Sequence, residues 1–91
     1  MKIEVTYKTM SYNVRPYHEV PEALRSKYES EEETVLKNLA LAKVFKGNLT
    51  DPLDWYRFND LSNWDQIIIA TMWLKKSKGL ENIKEEPNIV Y

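Results

Sequence analysis

A general base working near neutral pH is most often a histidine oriented by an acid, and this chain holds one histidine, His18, in the run Tyr17-His18-Glu19. Acid–base catalysis around His18 and nearby acids is the one enzymatic reading its side chains allow. It competes with an exposed loop histidine between Pro16 and Pro21. We favour the loop reading, because no serine lies in a Gly-x-Ser-x-Gly turn that would supply a nucleophile. No catalytic residue is therefore expected.

Metal chemistry meets a similar shortage, since the chain has no cysteine, one histidine and no Asp-x-Asp-x-Asp-Gly loop. Asp51, Asp54, Asp60 and Asp65 could gather magnesium, yet three of them (Asp51, Asp54 and Asp65) stand where helix starts favour acids, so capping is their preferred role. A phosphate cradle needs glycines, and the 2 present, Gly47 and Gly79, are each placed to end a helix. No cofactor is expected.

Binding chemistry is better represented. Lys75, Lys76 and Lys78, with Lys43 and Lys46, could contact nucleic-acid phosphates. The same lysines also complement helix C-termini, and a net charge of −1 gives the whole molecule no pull on a polyanion. Nucleic-acid association is thus the alternative reading. The acids from Glu29 to Glu33, broken only by Ser30, read first as a solvated turn that complements a helix dipole, yet they exceed what one dipole needs and repel one another, which keeps open a surface that meets a basic partner. The richest stretch is 51–65, where Trp55, Tyr56, Phe58, Trp64 and Arg57 interleave with Asp51, Asp54, Asp60 and Asp65. On a helix, neighbours are turned by about 100°, so Trp55, Tyr56 and Phe58 cannot all face inward. Tryptophan, tyrosine and arginine are the types most enriched at binding hot spots. We therefore expect a partner-binding surface of Asp54, Trp55, Tyr56, Arg57, Phe58 and Asp60, with Glu31 and Glu32 steering a basic partner. The competing role for these rings is core filling.

The elements that must position these groups follow from periodicity and caps. Ile3, Val5 and Tyr7 alternate with polar residues on odd positions, whereas Met10, Tyr12 and Val14 alternate on even ones. The flip at Lys8-Thr9 requires a bulge or short turn, predicting a hairpin or kinked strand pair over 2–15. Pro16 and Pro21 bracket an extended connector, and Pro21-Glu22 can open a short helix. Ser30, with Glu33 three residues on, reads as a capping box opening a helix to about Lys46, with Gly47 as its stop. Val35, Leu36, Leu39, Ala40, Val44 and Phe45 would form its buried side. Asp51 before Pro52 predicts a helix over 52–59. Ser62 with Asp65 predicts another over 63–77, stopped by Gly79 and apolar almost all round, with Ile68 and Trp73 in the core. Asn88-Ile89-Val90-Tyr91 is expected to add an edge strand or to fray.

Together these readings give one α+β domain over 1–91: a small antiparallel sheet, joined or not by the C-terminal segment, packed against two main helices and one short helix. Its longest apolar run, Ile67 to Leu74, is too short to span a membrane, and the early acid Glu4 leaves no secretory signal, so a cytoplasmic location is expected. Ten lysines to three arginines, with many Asn, Ile and Tyr, suit an AT-rich genome such as a phage or mobile element. The expected function is a non-enzymatic protein-binding module, an inhibitor, immunity factor or adaptor. The surplus apolar surface of residues 63–77 also predicts a homodimer.

Overall fold

Seven residues into the chain the first strand has to reverse, and Lys8 does it by taking φ 56°, the left-handed conformation. In the computed structural model, which describes residues 2–85, β1 (Ile3–Tyr7) and β2 (Met10–Val14) form a two-stranded antiparallel sheet. Ile3 faces Val14, Val5 faces Tyr12 and Tyr7 faces Met10. A two-residue loop pairs odd positions of one strand with even positions of the other, which is why the buried phase flips. Asn88-Ile89-Val90-Tyr91, expected to add an edge strand or to fray, lie outside the described residues.

Between Pro16 and Pro21 the chain winds one 3-10 turn, Tyr17–Glu19, rather than staying extended throughout. The backbone N–H of Tyr17 donates to Oγ of the buried Ser77 at 3.0 Å, docking this turn on the last helix. Helix α1 (Glu22–Glu29) follows, and then α2 (Thr34–Gly47). Ser30 does not open α2. Its backbone is helical, at φ −84° and ψ −11°, and closes α1 as the C-cap, whereas an N-cap must be extended. Glu33, at φ −76° and ψ 130°, takes that place. The Lys37 ammonium then donates to the carbonyl of Tyr28 at the end of α1 and to that of Glu31 in the turn after it.

Helix α2 buries Leu41, Ala42, Val44 and Phe45, toward its C-terminal end, while Val35 and Leu36 in its first turn are exposed, contrary to their expected burial. Gly47 belongs to the helix, and the stop is Asn48, whose buried side-chain amide donates to the Val44 carbonyl at 2.8 Å. Leu49 then forms a single bridge with Val14, so the loop after α2 runs beside β2. Helix α3 (Pro52–Asn59) starts as its sequence predicts: Asp51 Oδ1 accepts from the Leu53 N–H at 2.9 Å, and Pro52 fills the first turn.

Helix α4 (Asn63–Glu85) begins at Ser62, whose Oγ accepts from the Asp65 N–H at 3.2 Å. It runs through Gly79, which takes no positive φ. Among its described side chains, Ile69, Ala70, Trp73 and Ser77 are buried; Ile68, expected in the core, lies on a neighbouring row and is only partly buried. Trp73 is the hub. Its indole N–H donates to the Arg15 carbonyl at 2.7 Å, and its ring lies 5.5 Å from Phe45 and 5.6 Å from Tyr17. Phe45, Phe58 and Tyr12 complete an edge-to-face aromatic cluster, with centroids 4.9 to 6.2 Å apart. No described helix is long and apolar enough to cross a membrane.

Candidate functional site

Eight residues of α3 divide cleanly by face. Asp54 and Phe58, four apart, turn inward and are buried. Leu53 and Tyr56, three apart, turn outward with 70% and 65% of their surfaces exposed, and Trp55 beside them is 38% exposed. Two of the residues expected on the partner-binding surface, Asp54 and Phe58, thus face inward. Phe58 is a core ring between Tyr12 and Phe45, fully removed from solvent. Asp54 is an internal tether: one carboxylate oxygen accepts from the Asn13 N–H at 3.3 Å and the other from Arg57 Nη2.

Arg57 extends that tether. The same Nη2 donates to the Ser11 carbonyl at 3.0 Å, and the guanidinium lies 5.5 Å from the Tyr12 ring centroid. Its charge is thus matched by Asp54 and its geometry is fixed by β2. That leaves Asp51 and Asp60 as the exposed acids of α3's two ends. Lys46, at the end of α2, steadies the other side: its ammonium lies 5.0 Å from the Trp55 ring centroid and donates to Asn59 Oδ1 at 3.1 Å. Trp55 and Tyr56 meet edge to face at 5.2 Å. Leu49, Thr50, Asp51, Pro52, Trp55 and Tyr56 line a shallow groove of about 390 Å³. The arrangement is an apolar ledge held rigid from below, with carboxylates at its edges and a groove along one side.

Glu31 and Glu32 do not join it. They lie in the turn before α2, whereas α3 packs against the other end of that helix through Phe45 and Lys46. The 14 residues of α2 put about 21 Å of helix between the two groups. Glu31 is half-buried and Glu32 exposed. Glu29, at the end of α1, accepts a 2.5 Å hydrogen bond from the Tyr17 hydroxyl. Burial raises the Tyr17 phenol's pKa, and the Glu29 carboxylate raises it further.

The lysines of the alternative reading diverge around α4. The Lys76 ammonium donates to the Glu4 carbonyl at 2.5 Å, fastening α4 to β1, while Lys75 and Lys78 are exposed on another side. His18 sits in the 3-10 turn, partly buried rather than in an exposed loop, with Nε2 3.9 Å from Glu19 Oε2. Asp51, Asp54 and Asp65 are each engaged within the fold: Asp51 caps α3 locally, Asp54 accepts from the distant Asn13 N–H, and Asp65 accepts from the Tyr7 hydroxyl at 2.8 Å. Among the described residues, no three histidines or acids converge where they could hold a metal ion.

Leu53 is the member of the ledge that composition did not single out. Its signal was spacing, since it lies three residues before Tyr56 and off the Asp54–Phe58 row. Comparison with family models, curated proteins and solved structures finds no match to this chain.

Proposed function

We propose that this chain is a protein-binding module that acts by occupying a partner's surface, as an inhibitor, immunity factor or adaptor does, through the outward face of α3. The observation that carries this reading is the exposure of Leu53 and Tyr56, at 70% and 65%, on a helix whose other face is firmly buried. A small domain gains nothing in stability from holding a leucine, a tyrosine and part of a tryptophan together in water. Support comes also from their pre-organisation. Trp55 is braced by Lys46 and Tyr56, and α3 is pinned to β2 through Asp54 and Arg57, so the helix and its tryptophan have little freedom left to lose on binding.

Leu53, Trp55 and Tyr56 are the anchors. Asp51 and Asp60 form the rim and favour a partner with a basic surface around an apolar pocket. The test is a comparative capture from the native host with wild type, Tyr56→Ala and Leu53→Ala as baits, each checked by thermal melt. The expected result is a stoichiometric protein held by wild type and lost from both variants at unchanged melting temperature. Equal retention by all three baits would place the contact elsewhere.

A further inference from the structure

The outer side of α4 carries apolar surface that the domain leaves uncovered. Trp64 is 70% exposed and Met72 38%, with Ile67 and Ile68 between them only partly buried and outside the packed core. Successive helical residues are turned by about 100°, so Trp64, Ile68 and Met72 at i, i+4 and i+8 form one row, and Ile67, Thr71 and Lys75 the row beside it. We infer that this face pairs with the same face of a second copy of the chain, the two α4 helices running antiparallel about a two-fold axis at Ile68.

Two features select a second copy as the occupant. The first is self-complementarity. An isologous contact requires a patch that fits itself after a half-turn. The row is symmetric about Ile68, so antiparallel pairing sets Trp64 against Met72 of the partner subunit and Ile68 against Ile68 of the partner subunit. Thioether against indole is a favourable contact. The second is charge. Asp60 is exposed in the turn just before α4, and Lys75 is exposed seven residues after Ile68. Reversal brings each Lys75 toward Asp60 of the partner subunit, twice per dimer, whereas parallel pairing would set Lys75 against its own copy. Lys78, one turn further on the same side, adds to the attraction.

This pairing does not rest on the α3 reading, and its test uses the purified chain alone. Sedimentation equilibrium across the micromolar range should give a species of twice 10.8 kDa. Ile68→Glu should return a monomer with the wild-type circular dichroism spectrum; Trp64→Glu, at the more exposed position, should do the same. Asp60→Lys and Lys75→Asp should each raise the dimer dissociation constant about tenfold, and the double variant should recover most of it. The chain has no cysteine, so Ile68→Cys introduces one thiol. Under oxidised glutathione it should form a disulfide-linked dimer far faster than Val35→Cys, which lies on α2 at a residue 61% exposed. A 10.8 kDa species at every concentration would overturn the pairing. Equal cross-linking of the two cysteine variants would overturn the pairing through this face, and no recovery in the charge swap would overturn its antiparallel register.

Discussion

Asp54 and Asp60 lie six residues apart at the same helix and do opposite things. The carboxylate of Asp54 is buried and answers a backbone N–H of β2 as well as the Arg57 guanidinium. Removing it leaves Asn13 without its acceptor and Arg57 without its counter-charge. Because Arg57 is half exposed, water takes over part of that loss. We expect Asp54→Ala to cost about 2 kcal/mol in urea denaturation, and Asp60→Ala to stay within about 0.5 kcal/mol. Sequence could assign both to the ends of α3 but not their burial, which is decided by β2 docking against Arg57 and Asp54 from 41 and more residues away. Tyr56 was more legible, because three aromatics within four positions of one helix cannot share a face.

The elements divide in the same way between local and distant causes. The hairpin and α3 could be read directly, since a phase flip and an Asp51-Pro52 start are local signals. The break between α1 and α2 could not. Ser30-x-x-Glu33 looks the same whether Ser30 opens one helix or closes another, and here Lys37 reaches back to secure the closing. Gly79 failed as a stop because a glycine costs a helix only about 1 kcal/mol, and α4 carries on through it. Within α4 the core side is set by Trp73 rather than Ile68. Trp73→Asp is expected to abolish cooperative unfolding, while Ile68→Ala should cost about 1 kcal/mol or less, as thermal melts would show. The 3-10 turn and α1 are joined by the Tyr17–Glu29 hydrogen bond, and this joint has a pH signature. Burial first, and then the Glu29 carboxylate, raises the pKa of both Tyr17 and Tyr28 above the ordinary 10.0. A raised folded pKa means the phenols' contribution is intact below pH 10.0 and is lost as pH climbs through their folded values. Unfolding free energy should therefore decline on the alkaline side, and less steeply in Tyr17→Phe, in urea titrations run at stepped pH.

At the scale of the whole molecule, a chain of 91 residues hides a smaller share of its surface than a larger domain would, and its aromatic core is built from only a few rings. Among the described residues, exposed apolar side chains gather on the ledge of α3 and the stripe of α4, besides Val35 and Leu36 at the start of α2. The ledge and the stripe differ in kind. The stripe is symmetric and charged oppositely at its ends by Asp60 and Lys75, which suits a copy of itself, whereas the ledge carries at its start Asp51, which takes no part in that pairing, and suits a basic partner. The central claim is that the ledge is a contact surface and not displaced core. It is tested most directly by calorimetric titration of the captured partner with wild type, Leu53→Ala and Tyr56→Ala, beside a thermal melt of each protein. We expect each truncation to weaken binding by about 2 kcal/mol or more while the melting temperature stays at the wild-type value. Binding and stability falling together, or binding unchanged in both variants, would contradict the account.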